Sequence, residues 1–200
     1  MLLHAFLPAS RVNGPGLRAV VFFKGCVLHC PGCWNLATHA FRGHDVALRD
    51  VVGRILDATR SEPLEGVTFS GGEPMHEAAA LADLMAKVRR AEASLSFGMF
   101  TGYTEDELAA GTYFVRGITD AERKAGLWRR VRAFLDFAVM GRYDCALPGT
   151  APLRTSQNQR LVLFTDRYQA SSFERQSIEV DIAPGGVTVL TGFPVLGIPA

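Results

Sequence analysis

Three cysteines crowd into one short segment, Gly25-Cys26-Val27-Leu28-His29-Cys30-Pro31-Gly32-Cys33. Thiolates at this C-x3-C-x2-C spacing can take three corners of one [4Fe–4S] cube, for which cysteine sulfur is the usual ligand. The remaining cysteine, Cys145, lies far along the chain. One iron would then keep an open coordination position, and an open position on a redox metal is where chemistry can happen. Gly25 and Gly32 permit tight turns around a bulky inorganic group. The competing reading is structural zinc, completed by His29, His39, His44 or Cys145, although structural zinc sites favour paired ligand spacings. His29 is a loop histidine and receives no role.

A second candidate site follows another apolar run. Val67-Thr68-Phe69 reads as a strand, and Ser70-Gly71-Gly72-Glu73-Pro74 comes directly after it. Two glycines let the main chain approach a ligand closely and offer it polar backbone groups. Glu73 adds a negative charge suited to a cationic amine, while Pro74 stops the strand from continuing. Alone, such a turn is only a loop.

Both loops need a frame that brings them together. Strand-like runs at 17–23, 66–70, 94–101, 135–140 and 161–164 alternate with helical patterns at 46–59 and 77–91. Thr104 and Asp120 are placed to cap two further helices, the second of them basic. This alternation predicts an α/β fold with a parallel sheet, right-handed crossovers and ligands at the carboxyl ends of the strands. The cysteine loop and the Gly71-Gly72 loop would open on that same edge. After residue 167 the pattern changes. Ile178 to Ile182 alternates, Pro184-Gly185-Gly186 marks a turn and Val187 to Leu190 returns, which predicts a β-hairpin. The expected organisation is a core over 1–167 and a hairpin extension over 168–200.

Bulk properties narrow the function classes. A chain of 200 residues, 48% hydrophobic and 20% charged, can bury one sizeable core. A net charge of +1 gives no reason to expect nucleic acid or an anionic membrane as partner. Met1 to Pro8 lacks the features of a signal peptide, and no apolar run reaches membrane-span length. Cysteines clustered as these are point to a metal site in a reducing compartment, hence to the cytoplasm.

With the two motifs about forty residues apart, the chain resembles the radical S-adenosylmethionine superfamily. Further segments look like the glycyl-radical activase group that serves anaerobic ribonucleotide reductase. They are Asn13-Gly14-Pro15-Gly16-Leu17-Arg18, Pro31-Gly32-Cys33-Trp34-Asn35, Phe100-Thr101-Gly102-Tyr103-Thr104, Asp136 to Gly141 and Ser156-Gln157-Asn158-Gln159-Arg160. The group usually carries Asp where this chain has Asn13, and a Gly-Ser-Ser-Asn-Gln pattern where it has Thr155 to Gln159.

The resemblance implies a partial (open) β/α barrel with the hairpin appended. It implies Cys26, Cys30 and Cys33 as ligands of a [4Fe–4S] cluster whose fourth iron is chelated by S-adenosyl-L-methionine. Ser70, Gly71, Gly72 and Glu73 would hold the methionine end of that cofactor. Thr101 and Tyr103 would line its pocket, with a plain strand-end turn as the alternative. Asp136 would face the site or pair with an arginine, and Asn158 with Gln159 would bind adenosine or cap the barrel. The implied activity is reductive cleavage of S-adenosylmethionine to a 5′-deoxyadenosyl radical, with hydrogen abstraction from a glycine of a glycyl-radical enzyme. A low-potential donor, flavodoxin or ferredoxin, would supply the electron, with the basic helix as one place to dock. The alternatives are radical modification of a peptide or small molecule, a non-catalytic iron–sulfur carrier, and a zinc-stabilised interaction module.

Overall fold

The computed structural model describes residues 1–173, 178–182 and 188–193. Strands β1 (Leu3–Ser10), β2 (Arg18–Phe23), β3 (Gly66–Gly71), β4 (Ser96–Thr101), β5 (Phe137–Met140) and β6 (Arg160–Leu163) form one open sheet in sequential order. β2 to β5 run parallel, with Val21 beside Phe69 and Met99 beside Ala138. The predicted parallel sheet is correct for these strands and incomplete at both edges. β1 lies antiparallel to β2, and β6 antiparallel to β5. β1 has no counterpart in the sequence reading because Pro8 interrupts its alternation. Pro8 falls where the register shifts between Leu7 and Ser10, an irregularity that an edge strand tolerates.

The connections between parallel strands carry the helices α1 (Leu48–Ser61), α2 (Ala78–Ala91), α3 (Glu105–Ala109) and α4 (Ala121–Arg132). Their starts follow local chemistry. Thr104 and Glu107 form a reciprocal capping box on α3, and Asp120 accepts from the Arg123 N–H at the head of α4. Ile55 of α1, Leu81 and Met85 of α2 and Trp128 of α4 pack on Val21, Phe69, Phe97 and Ala138 in one core. No helix among the described residues is long and apolar enough to cross a membrane.

Among the described residues the other face of the sheet carries no α-helix. Phe137 and Val139 of β5 pack there against Leu153, Tyr168 and Phe173, with Phe100, Leu161 and Phe193 at the margin. The predicted hairpin is present as β7 (Ile178–Ile182) paired antiparallel with β8 (Thr188–Gly192). Its predicted turn at Pro184-Gly185-Gly186 lies outside the described residues.

Candidate metal and cofactor site

The cysteine loop leaves β2 and is tied down at once. Gly25 N–H donates to the Thr38 carbonyl at 2.7 Å, and Cys26 N–H to that of His39 at 3.0 Å. The chain then bends back on itself, with Cys33 N–H donating to the Cys30 carbonyl at 3.1 Å. Cys26 is buried and Cys30 and Cys33 are half-buried, all three as free thiols on one cavity of about 430 Å³. Burial pushes the Cys26 thiol up to about 11 and raises that of Cys30. Metal binding at these positions must therefore displace protons. His39 Nε2 lies 3.4 Å from Cys33 Sγ, and a Cβ on Gly32 would lie 3.0 Å from that of Cys145.

The Gly71-Gly72 turn meets this loop directly. Gly72 N–H donates to the Phe23 carbonyl at 2.8 Å, and Glu73 N–H to that of Gly25 at 3.0 Å. A Cβ on Gly72 would lie 2.6 Å from the Gly25 oxygen, and Gly71 holds φ at 105°. The glycines are thus required for close approach of two loops, and the N–H groups of Gly72 and Glu73 are spent on that junction. Glu73 lines the cavity with its acceptors shared among three donors. Oε1 accepts from Met75 N–H (2.9 Å) and Thr101 Oγ1 (2.8 Å), and Oε2 from Gly102 N–H (2.8 Å). Burial pushes its carboxyl up to about 7, against these hydrogen bonds and the nearby Arg142 guanidinium.

Residues 12–162 match the family described as a 4Fe-4S single cluster domain. The anaerobic ribonucleoside-triphosphate reductase-activating protein of Salmonella typhi is 35% identical over 116 residues, 55% of this chain and 74% of its own length. The protein of that name from Escherichia coli (strain K12) matches to the same extent, 35% over 116 residues. That of Enterobacteria phage T4 is 26% identical over 161 residues, 80% of this chain and 92% of its own length. The chain belongs to the anaerobic ribonucleoside-triphosphate reductase-activating protein family. It is an iron–sulfur enzyme of the radical S-adenosylmethionine type, with a [4Fe–4S] cluster and S-adenosylmethionine as cofactors.

The residues present fit that pair of cofactors. Three free thiols open on one cavity, one for each of three iron corners. Among the described residues no group of three or more Cys, His, Asp and Glu side chains gathers as the ligands of a single ion would. Ser70, Gly71, Gly72 and Thr101 line the same cavity, as a cofactor held beside the cluster requires.

Other predicted residues lie elsewhere. Tyr103 is buried beneath the turn, its hydroxyl 3.0 Å from His76 Nε2 and accepting from Phe114 N–H at 3.2 Å, and it does not line the cavity. Asp136 precedes β5, at the amino end of the strands. It accepts from Phe97 N–H (2.9 Å) and Thr165 Oγ1 (2.8 Å), with Arg89 at 3.9 Å, so its partners are structural. Asn158 is exposed and donates to the Arg142 carbonyl at 2.8 Å, while its neighbour Gln159 lines the cavity. In the basic helix α4, Arg130 and Arg132 are paired with Asp83 and Glu105.

The structure also brings to the cavity residues to which the sequence assigned no role. Phe22, Phe100 and Val139 lie along the cavity from the face of the sheet that bears no helices, and Tyr143 and Thr155 reach it from the loop after β5. The strand alternation could have marked Phe22, Phe100 and Val139, since each faces away from the helices. Tyr143 carries no local signal, and Thr155 is marked only as the start of the Thr155 to Gln159 segment.

Proposed function

We propose that this chain activates an anaerobic ribonucleoside-triphosphate reductase by installing a radical on one of its backbone glycines. One observation carries the reading. The cysteine loop and the Gly71-Gly72 turn are joined backbone to backbone and line a single cavity. Cys26, Cys30 and Cys33 would hold the cluster, and Ser70, Gly71, Gly72 and Thr101 would border the methionine end of S-adenosylmethionine. A cluster and S-adenosylmethionine held there would supply one-electron reductive cleavage of the sulfonium, and with it the means to abstract a hydrogen atom from the substrate.

The chain's own residues position and shield. Glu73 fixes the end of β4 to the turn through Thr101 and Gly102, which holds the floor beside the cysteines rigid. Phe22, Phe100 and Val139 keep part of the cavity apolar, which limits water near a reactive species. The open sheet, with its edges β1 and β6 unjoined, is read as a partial barrel that admits a protein loop. The relatives' names support the reductase as the partner. A flavodoxin or ferredoxin in the cytoplasm is proposed as the electron source.

The test is electron paramagnetic resonance on the reductase after anaerobic incubation with the reconstituted chain, S-adenosylmethionine and a reductant. A protein-based radical whose hyperfine splitting collapses when the reductase carries deuterated glycine supports the reading. Formation of 5′-deoxyadenosine without any radical on the reductase would assign the chain to another substrate.

A further inference from the structure

The family match ends at residue 162, before the hairpin begins. Yet Leu190, Thr191, Gly192 and Phe193 line the same cavity as the cluster cysteines. Contacts from both strands fix them there. Glu179 on β7 accepts from Ser10 Oγ at 2.5 Å and from Arg11 N–H at 2.9 Å. Asn13, buried and itself a cavity residue, donates to Thr191 Oγ1 at 3.1 Å and to Ser10 Oγ at 2.8 Å. Phe193 packs on Phe100 with ring centroids 5.4 Å apart and planes at 35°. Gly192, at φ 110°, adopts a backbone turn that other residues rarely take, directly before Phe193.

The tie to Asn13 also sets where the hairpin sits along the strands. The Asn13 carbonyl accepts from Thr68 Oγ1 at 2.8 Å, and Thr68 is in the middle of β3, whereas the cysteine loop leaves the carboxyl end of β2. The cavity therefore runs from the cluster loop down over the face without helices, and β8 closes it on that side. Strands alone would leave Phe22, Phe100 and Val139 open to water. The hairpin converts an open sheet face into a walled space of about 430 Å³, inside the range of roughly 300–1,000 Å³ usual for small-molecule sites.

We propose that β8 is a wall of the S-adenosylmethionine site, with Phe193 and Thr191 as binding residues and Glu179 as the positioning residue that latches them. The inference rests on the function proposed above and adds residues outside the matched region to its cofactor site. A wall tied at Ser10, Arg11 and Asn13 suits a small cofactor seated against it, and leaves the substrate's protein loop to enter past another part of the cavity rim. The Phe100–Phe193 pair offers the flat apolar surface on which a nucleoside packs, and Thr191 offers a hydroxyl beside it.

The experiment is anaerobic calorimetry of S-adenosylmethionine binding to the full chain with its cluster loaded and oxidised, so that no cleavage occurs. Phe193→Ala is expected to weaken binding about tenfold, the scale of one base–aromatic contact, with iron content unchanged. Phe193→Tyr keeps the affinity, and Glu179→Gln loses a smaller factor while leaving the melting temperature within a few degrees. Should Phe193→Ala fail to hold iron, Thr191→Val and Glu179→Gln carry the same comparison. Unchanged affinity in cluster-loaded Phe193→Ala and Glu179→Gln, with weakened binding only to the reductase, overturns the proposal and makes the hairpin a partner-docking element. If the unsubstituted chain holds its cluster and binds no S-adenosylmethionine, the proposed function falls together with this inference.

Discussion

Ala19, Val67, Phe97 and Ala138 face the helices, whereas Arg18, Thr68, Ser96 and Phe137, one step away on the same four strands, face the other way. The first set is wholly apolar and buried beneath α1, α2 and α4. The second is organised around a buried guanidinium. Arg18 donates to Thr68 Oγ1 at 2.8 Å, Ser96 Oγ at 2.7 Å, Tyr168 Oη at 3.4 Å and the carbonyls of Pro15, Val67 and Ser96. Burial lowers its pKa, and Tyr168, Glu65 and Asp136 offset only part of that. One face is a packing surface. The other carries the cavity and, beside it, this buried polar network, whose groups satisfy one another and which reaches the cavity lining through the Thr68–Asn13 hydrogen bond.

The largest effect expected from breaking this contrast is at the junction of the two loops. Gly72→Ala drives a methyl group into the Gly25 carbonyl. Reconstituted protein should lose most of its bound iron, measured per chain, while its far-ultraviolet circular dichroism is kept. Full iron loading in this variant would contradict the role given to that junction.

A paired comparison sharpens the two faces. Leu84→Ala under the helices removes a fully buried side chain and should cost about 2–5 kcal/mol in denaturant unfolding. Arg18→Ala strips the donors from three side chains and three carbonyls and should cost about 3 kcal/mol or more. The variants should differ in S-adenosylmethionine affinity, which falls in Arg18→Ala and holds in Leu84→Ala. Equal losses would mean that the faces are not functionally distinct.

Glu73 gives a smaller, pH-dependent signature. Its carboxyl is raised from the ordinary 4.5 to about 7, so between those values the folded chain holds a proton that the unfolded chain has released. Its contribution to stability is therefore complete below about 4.5 and lost as pH rises through about 7. The urea midpoint of the cluster-free chain should drift down across this window, and Glu73→Gln should flatten the drift. The smallest effect is Thr104→Ala, about 1 kcal/mol from loss of the α3 cap, with no change in iron content.

The same division explains what could be read from the sequence. The helix-facing side was legible because its signals are local: the spacing of Val51 and Ile55, the alternation through β2 to β5, and the caps at Thr104 and Asp120. The cysteine triplet and the Gly-Gly-Glu-Pro turn were legible as residue types, but their backbone junction was not, since it joins Gly25 to Glu73 across a helix and a strand. Asp136 looked site-facing because a carboxylate in an apolar strand stands out. Its partners, Phe97 N–H and Thr165, belong to the amino edge. The hairpin was visible as a pattern, whereas its seat was hidden in pairings such as Ser10 with Glu179 and Asn13 with Thr191.

The most direct test is mass-spectrometric measurement of 5′-deoxyadenosine. The anaerobically reconstituted chain is incubated with S-adenosylmethionine and dithionite, beside a Cys30→Ala variant treated identically. Product from the unsubstituted chain and none from Cys30→Ala is the expected result, and ties the cleavage to the cluster at Cys26, Cys30 and Cys33. A fully loaded cluster that yields no product, even with the reductase present, would contradict the assignment of this cavity to S-adenosylmethionine cleavage.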